Sequence, residues 1–437
     1  MKPEIKERIE KINRGQVPEG YKETKLGIIP SKWEIRTIGQ LVEDGIIQKP
    51  MDGNHGALHP TSKDYVDKGI PFILATDLEG NKLSLSKCKH IKKEVADKLQ
   101  KGFSVEGDVL LTHKGSVGNT VVVPKIETEY IMLTPQVTFY RVNDRDKLSN
   151  YYLHYHFQGE TFQRQLKVMS KGATRDYIGI VAQNNLEIIL PTDIKEQQKI
   201  ADILSTWDKA IELKEKLIEQ KKEQKKGLMQ RLLTGKVRLP GFKGEWIKLK
   251  IKDLIKEVND RTTQNNQYEV LSVTKNGIVP QREQFNKQIA SEDNTGYKIV
   301  RRYNLVFSTM NLWMGSLDVL TTHDIGIVSP AYKVFEFIEQ NINPLFGKYF
   351  MLSDYMIRIY KLNSEQGASI VRRNLDMDGL LSSIVSVPPV EEQLEISKVL
   401  QSADDELTLL NSELEALKQQ KKGLMQLLLT GKIRVKC

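Results

Sequence analysis

The sequence KEQKKGLMQRLLTGK at residues 222–236 returns as KQQKKGLMQLLLTGK at residues 418–432, and this repeat decides how the chain is organised. Thirteen of the fifteen positions are identical. The same offset of 196 residues also aligns Glu196 with Glu392, so the duplication extends upstream of the quoted motif. Self-similarity over such a length indicates two copies of one structural unit.

Each copy of the motif belongs to a predicted long helix. A proline-marked strand end precedes it, LEIILP in the first copy and SSIVSVPP in the second, so that a helix can begin directly afterwards. Apolar residues then recur at alternating spacings of four and three, which is typical of a seam between two helices. The predicted seam consists of Ile200, Leu204, Trp207, Ile211, Ile218, Leu228 and Leu232 in the first copy and of Ile396, Leu400, Leu407, Leu410, Leu414, Leu417, Leu424 and Leu428 in the second.

Lysines interrupt the seam at Lys214, Lys221 and Lys225 in the first copy and at Lys421 in the second. A lysine fits between two helices only if its ammonium group reaches solvent or meets carboxylates of the facing helix. Because the two helices carry matching seams, we expect them to pack against each other. A helix of about 40 residues is roughly 60 Å long, which suits a spacer better than an ordinary helix bundle.

The segments 17–192 and 239–389 differ from the helices, because short β-rich runs alternate there with Gly, Asn and Asp turns. The two segments resemble each other faintly. Each opens around a tryptophan, Trp33 or Trp246, and each closes with a Gly-Ala turn, GATRDYIG or GASIVRRN. Between these marks they diverge, as two copies of one scaffold would if each had to recognise something different.

The predicted fold class is therefore α/β (α+β), with two mixed α/β domains separated by two long antiparallel coiled-coil helices in a pseudo-two-fold internal repeat. The predicted boundaries are a first domain at 1–192 with a short N-terminal helix at 3–14, a first spacer helix at 193–238, a second domain at 239–389 and a second spacer helix at 390–434.

Composition indicates a cytoplasmic protein with an affinity for polyanions. The formal net charge is +9, which favours nucleic acid as a partner, although a lysine-rich solvated surface would give the same value. The two cysteines, Cys88 and Cys437, are too few for a disulfide framework or a cysteine-rich zinc site. No stretch is long and apolar enough for a signal peptide or a membrane span, so we expect no membrane contact.

The chain resembles the DNA specificity subunits of type I restriction-modification systems. The resemblance is carried by GYKETKLGIIPSKWE at 20–34, HKGSVGN at 113–119, the GATRDYI turn and, above all, the helix PxxEQ…KKGLMQxLLTGK that is used twice. It covers essentially the whole chain in the order of the family, which is recognition domain, helix, recognition domain, helix.

This resemblance implies a DNA-binding subunit without catalytic residues of its own. Each target-recognition domain would read one half of a bipartite, asymmetric site in double-stranded DNA, and the helices would set the gap between the halves. The helices would also dock two adenine methyltransferase subunits that use S-adenosylmethionine. Motor-nuclease restriction subunits would use ATP, and neither cofactor would bind to this chain.

The residues themselves offer little competing chemistry. Asn343-Pro344-Leu345-Phe346 lacks the second proline of an amino-methyltransferase loop, and the two Thr-Gly-Lys sequences lack the upstream glycine of a phosphate-binding loop. His55 and His59 have helical spacing but lie in a Gly- and Pro-rich loop without a further ligand. We therefore predict no catalytic residue and no metal site.

Loops that bear Arg, Lys, Asn, Gln, His and hydroxyl side chains are the candidate DNA contacts, since these groups bind phosphates and base edges. Any one of them could equally serve a turn or a solvated surface. The predicted contacts are Asn54, His55, Lys114, Ser116, Lys171, Thr174 and Arg175 in the first domain and Gln281, Arg282, Asn311, Trp313, Arg372 and Arg373 in the second.

Three other functions are compatible with this reasoning. A coiled-coil scaffold that binds proteins would show no salt-dependent binding to DNA. A self-sufficient enzyme would transfer methyl groups on its own, and a DNA-binding regulator would not recruit a methyltransferase.

Overall fold

The chain forms two compact units, each of which combines a β-rich segment with parts of both long helices. In the computed structural model, residues 2–56, 59–170, 176–274, 277–284, 293–366 and 373–436 are described. The first unit consists of Met1–Lys214 and Glu413–Cys437, and the second consists of Glu215–Ser412. The last part of the chain is therefore an integral part of the first unit.

The elements up to the first long helix alternate short strands with short helices. They are α1 (Pro3–Asn13), β1 (Tyr21–Thr24), β2 (Gly27–Pro30), β3 (Glu34–Thr37), α2 (Ile38–Glu43), β4 (Met51–Asp52), β5 (Tyr65–Val66), β6 (Ile70–Ile73), β7 (Leu78–Glu79), β8 (Lys82–Leu83), β9 (Lys89–Ile91), α3 (Lys93–Ala96), β10 (Phe103–Ser104), β11 (Val109–Thr112), β12 (Thr120–Val122), β13 (Ile131–Leu133), β14 (Val137–Tyr140), α4 (Asn150–Gln158), α5 (Glu160–Met169), α6 (Ile180–Gln183), β15 (Glu187–Leu190) and α7 (Ile194–Leu232).

The remaining elements follow a similar order. They are β16 (Ile247–Lys250), β17 (Ile255–Val258), β18 (Leu271–Thr274), β19 (Gly277–Pro280), α8 (Gln281–Gln284), β20 (Lys298–Arg301), β21 (Leu305–Ser308), β22 (Leu317–Val319), β23 (Ile325–Val328), β24 (Tyr332–Phe337), α9 (Pro344–Met351), α10 (Asp354–Leu362), β25 (Ser364–Gln366), β26 (Arg373–Leu375), α11 (Met377–Ser382), β27 (Ile384–Val387) and α12 (Val390–Leu429).

A four-stranded antiparallel sheet recurs in both units. Its strand order is β12-β11-β14-β4 in the first and β22-β21-β24-β17 in the second. The central strands β11 and β21 lie 196 residues apart, at the offset of the helix repeat. A second pairing also recurs, because β3 pairs with β15 and β16 pairs with β27. The predicted internal repeat therefore extends into the β-rich domains.

The central strand of each sheet is buried on both faces, because successive side chains point in opposite directions. In the first unit, Val109 and Leu111 face the core that contains Trp33, whereas Leu110 faces a second apolar cluster. In the second unit, Leu305 and Phe307 face one core and Val306 faces another. This explains why these strands read as continuous apolar runs.

The units differ outside this sheet. The first unit adds a five-stranded sheet of order β10-β13-β6-β9-β5, whereas the corresponding described part of the second unit has the two-stranded pairs β18-β19 and β20-β23. The two β-rich segments, whose sequences diverge between the opening tryptophan and the closing Gly-Ala turn, thus differ in their strands as well as in their surface residues.

The ends of the predicted seam enter the domain cores. Ile200, Leu204 and Leu428 lie in the core of the first unit, and Leu232, Ile396 and Leu400 lie in that of the second. The other seam residues are at least half-buried, with one exception. Leu228 is 38% exposed, so its place in the seam stays a prediction. An α-helix drifts relative to a strict heptad, and the packed face there also includes Met229.

The four lysines of the seam each meet a carboxylate of the facing helix. Within the first unit, Lys214 Nζ lies 2.8 Å from Glu413, and Lys421 pairs with Asp208. Within the second unit, Lys221 Nζ lies 2.6 Å from Glu406, and Lys225 pairs with Asp404. Because residue numbers rise along one helix as they fall along the other, the helix segments in each unit run antiparallel.

Two of these pairs are copies of each other in the repeat. Asp208 also accepts a hydrogen bond from Tyr155 Oη at 2.7 Å, and Asp404 accepts one from Tyr349 Oη at 2.8 Å. Burial is the main cause that raises the pKa of both tyrosines, so each phenol keeps its proton and donates it. Each carboxylate therefore binds both a lysine of the facing helix and a tyrosine of the β-rich domain in its unit.

The Thr-Gly-Lys sequences end the long helices. Gly235 and Gly431 have φ near 68°, a left-handed conformation that glycine adopts without steric cost. The threonine hydroxyls of Thr234 and Thr430 donate to helix carbonyls four residues earlier. The helices consequently end at Leu232 and Leu429, earlier than the predicted residues 238 and 434.

No helix in the described ranges combines the length and the apolar character that crossing a membrane requires.

We expect Asp208→Ala to lower the free energy of unfolding by about 2–3 kcal/mol, because it leaves the buried ammonium group of Lys421 without a partner. Lys214→Ala is the matched control. It removes an exposed pair of the same helices and should cost less than about 1 kcal/mol. Urea denaturation of the full chain measures both, and equal costs would contradict the importance of the buried pair.

Candidate nucleic-acid interface

The loop that joins β11 to β12 presents Lys114 and Ser116 to solvent. Gly115 and Gly118 both have positive φ, which lets the chain reverse tightly. A side chain at Gly118 would collide with Gln163 of α5, whose amide instead donates to the Gly118 carbonyl at 2.9 Å. The scaffold therefore holds the base of the loop while its tip stays exposed.

A short segment after the Gly-Ala turn lies along this loop. The Gly115 amide donates to the Asp176 carbonyl and the Ile178 amide donates to the His113 carbonyl, both at 3.0 Å. Lys114 Nζ lies 5.9 Å from the centroid of the Tyr177 ring, and Tyr177 is 44% exposed. Tyr177 was missed as a candidate contact, although it belongs to the GATRDYI motif.

His55 is half-exposed beside a buried carboxylate. Its Nε2 lies 2.7 Å from Asp52 Oδ2, and Lys101 pairs with the other carboxylate oxygen. His113 Nε2 lies 3.9 Å from the same carboxylate, and burial lowers the pKa of His113, so this ring is neutral. His55 is positioned by Asp52 and stays available at the surface.

Asn54 is not available in the same way. It is 3% exposed, its amide donates to the Lys101 carbonyl at 2.6 Å, and its side-chain oxygen accepts from the Gln100 amide at 3.0 Å. Both polar groups hold two stretches of the domain together. The assignment of Asn54 to DNA contacts is therefore wrong for this conformation, since its polar atoms are already paired and buried.

The equivalent loop of the second unit joins β21 to β22 and carries Asn311 and Trp313. Asn311 closes a turn in which the Met314 amide donates to its carbonyl at 3.0 Å, and Gly315 reverses the chain with a φ of 83°. The Arg373 amide donates to the Met310 carbonyl at 3.3 Å, so β26 lies against this loop.

Arg373 lies over the Trp313 ring, with its guanidinium carbon 4.6 Å from the ring centroid. This is a close cation–π contact. The structure therefore brings together three of the residues that the sequence analysis selected, Asn311, Trp313 and Arg373, although about 60 residues separate the loop from Arg373.

The loop and the adjoining segment correspond in the two units at the offset of the repeat. Lys114 corresponds to Met310, and Tyr177 corresponds to Arg373. The backbone contact between them recurs, as a β-bridge in the first unit and as the amide–carbonyl hydrogen bond in the second. The cation is on the loop in the first unit and on the adjoining segment in the second.

Gln281 and Arg282 occupy a different place, at the start of α8. The Gln281 amide donates to the Val270 carbonyl at 2.9 Å, and the exposed Arg282 pairs with Glu269 at 2.9 Å. Four further predicted contacts lie outside the described residues. They are Lys171, Thr174, Arg175 and Arg372.

The motifs that could suggest catalysis have structural roles. Asn343 caps α9, because its side-chain oxygen accepts from the amides of Leu345 and Phe346. His154 and His156 are buried among aromatic rings, and burial lowers their pKa values to about 3 and about 4. Within the described ranges, no group of three or more His, Cys, Asp or Glu residues could hold a metal ion.

Comparison with known proteins agrees with this organisation. Residues 30–222 match the family model described as "Type I restriction modification DNA specificity domain". The chain is 26% identical to the putative type I restriction enzyme MjaX specificity subunit and 24% identical to the type I restriction enzyme MjaVIII specificity subunit, both of Methanocaldococcus jannaschii. Each alignment covers 96% of this chain and 97% of the relative.

One solved structure shares the fold over nearly the whole length. It comes from work on complex assembly and conformational transition of the type I R-M system, and it aligns with a TM-score of 0.58 and 13% identity over 93% of this chain and 99% of that chain. The family model and the near full-length relatives agree, and the chain is similar over nearly its whole length to type I restriction-modification DNA specificity subunits.

Proposed function

We propose that each unit reads one half of a split, asymmetric site in double-stranded DNA. The observation that carries this proposal is the pair of equivalent loops, which have the same backbone setting and unlike side chains. Lys114, Ser116 and Tyr177 form one surface, and Trp313 and Arg373 form the other. Two different surfaces on one scaffold suit two different half-sites, whereas a dimer of identical readers would recognise a palindrome.

The charge distribution supports contact with a polyanion. The helix regions 193–238 and 390–436 contain nineteen Lys and Arg against sixteen acidic residues, so most of the net charge of +9 lies on the β-rich segments. Exposed cations there would bind phosphates and supply affinity without sequence information. Base contacts from the loops would then supply the specificity.

The chain would have no catalytic role of its own. Two adenine methyltransferase subunits would dock on the long helices and use S-adenosylmethionine, and motor-nuclease subunits would use ATP. The structural roles of Asn343 and of the Thr-Gly-Lys sequences support this division of labour, because neither motif is arranged as a cofactor loop. Since the substrate is cellular DNA, we place the complex in the cytoplasm.

The deciding experiment is to copurify the full chain with the methyltransferase encoded beside it and to map methylated adenines in host DNA. A bipartite asymmetric motif would support the proposal. Methyl transfer by the chain alone would indicate a self-sufficient enzyme, sequence-specific DNA binding without the methyltransferase would indicate a regulator, and no salt-dependent DNA binding would indicate a protein scaffold.

We expect Lys114→Ala to weaken binding to all duplexes alike and to reduce the slope of log affinity against log salt by about one, because one phosphate contact is lost. Lys11→Ala is the control, since Lys11 lies on α1 and pairs with Glu7 at 2.9 Å. Salt titrations with a specific and a random duplex measure both variants. An unchanged slope for Lys114→Ala would remove Lys114 from the interface.

We expect a matched insertion of seven residues into both helices to lengthen the gap between the half-sites. The insertion points lie after Lys214 in α7 and before Glu413 in α12, where the two units divide. Seven residues add roughly 10 Å of helix, which equals the length of about three base pairs, and they keep the heptad register. Selection on random DNA measures the gap.

The half-site sequences themselves should not change in the insertion variant. Inserting seven residues into α7 alone is the matched control, because the two helices then differ in length between the Lys214–Glu413 pair and the Lys221–Glu406 pair. Both pairs can form only if the inserted residues leave the helix, so this variant should be less stable than the double insertion. An unchanged gap in the double insertion would show that the helices do not set the spacing.

A further inference from the structure

Within the described ranges Arg373 has no carboxylate partner, in contrast to Arg282, Arg301 and Arg302 of the same unit. Arg302 also lies over an aromatic ring, that of Tyr303 at 5.7 Å, but it pairs with Asp324 at 2.7 Å. Arg282 and Arg301 pair with carboxylates in the same way. The contact that the described residues offer its guanidinium group is the face of the Trp313 ring, which attracts the cation but leaves its charge uncompensated.

The Arg373–Trp313 pair also leaves polar hydrogens unsatisfied. Trp313 Nε1 and Arg373 Nε are both buried, and neither has a hydrogen-bond partner within the described part of the chain. Burial of an unsatisfied donor costs free energy, so such groups in a native structure require an explanation. The contact with the Trp313 ring holds the guanidinium group in place at this cost.

An arginine held in this way is suited to read guanine. Its planar fork matches the O6 and N7 acceptors of guanine in the major groove, and a fork that is already oriented loses less entropy on binding. The terminal nitrogens make the two hydrogen bonds, whereas Nε is not needed for this end-on contact. Lysine keeps the charge but lacks the planar fork, so it is not an equivalent substitute at such a site.

We propose that Arg373 is a specificity-determining residue of the second unit, which recognises one guanine of its half-site, and that Trp313 is its positioning residue. The inference rests on the proposed function, since it requires this surface to face DNA. The first unit has tyrosine at the corresponding position, which lacks the two-donor fork of arginine, so its half-site should differ.

The test compares Arg373→Lys with wild type in the full chain, by selection on random duplex DNA followed by competition binding with single base-pair changes. We expect the variant to bind random DNA within about twofold of wild type, because its charge is kept. It should lose roughly 10- to 100-fold discrimination at one G·C pair of one half-site and none elsewhere.

Trp313 is tested in the same assay. Trp313→Ala should reduce discrimination at the same base pair, and Trp313→Phe should restore most of it, because a phenyl ring can still support the guanidinium. A purely structural role would instead weaken all sequences alike and would not single out that base pair. Arg302→Lys is the matched control, and it should leave every position unchanged.

The outcomes separate the two proposals. If wild type shows no sequence preference, the proposed function fails. If wild type has a preference that Arg373→Lys leaves unchanged, or if the variant weakens all sequences equally, Arg373 does not read a base and this inference alone is overturned. If Trp313→Phe behaves like Trp313→Ala, the positioning role of the ring is wrong.

Discussion

A buried carboxylate at the start of each long helix holds each unit together. Glu196 accepts from Trp33 Nε1 at 3.0 Å and from Arg434 at 2.7 Å, and Glu392 binds Arg238 through two hydrogen bonds of 2.6 Å. Both carboxylates are almost fully shielded from water. A buried charge is tolerated only when it is paired and hydrogen-bonded, so loss of either arginine would be costly.

These ion pairs determine which parts of the chain fold together. Arg434 follows the second long helix, yet it completes the first unit, and Arg238 follows the first long helix and completes the second. The tryptophans that open the two β-rich segments lie beneath these arginines, with guanidinium carbons 5.6 Å and 5.9 Å from the ring centroids. Each unit is therefore closed by the end of a helix that begins in the other half of the sequence. The cross-helix lysine–carboxylate pairs extend the same arrangement along the seam.

The sequence was sufficient to predict the helices, their antiparallel pairing and the repeat. Burial of one helix face produces a regular spacing of apolar residues, and duplication produces two nearly identical motifs. The sequence also indicated that the seam lysines need facing carboxylates. The partial exposure of Leu228 and the packing of Met229 could not be predicted, since a regular heptad ignores the drift of a real helix and the domain that packs beside it. Trp33 and Trp246 mark the repeat in the sequence, but the contacts beside them could not be assigned, because Glu196 lies 163 residues from Trp33 and the Arg238 that lies over Trp246 pairs with Glu392, 154 residues away.

The candidate interface was predictable only in part, for a physical reason. Residue type identifies groups able to bind DNA, but it does not reveal which of them are buried and already hydrogen-bonded within the folded chain. Asn54 and Lys114 look equally suitable as loop residues, yet Asn54 is buried with both polar groups bonded and Lys114 is exposed. Tyr177 and Arg373 can be identified as interface residues only from the structure, which places each beside its loop. In the first unit the cation is on the loop and the aromatic ring is on the adjoining segment, whereas in the second unit the ring is on the loop and the cation is on the segment. Because the backbone contact is the same in both units, this exchange alters what the surface can bind without altering the scaffold, and a duplicated domain can thereby come to recognise a second sequence.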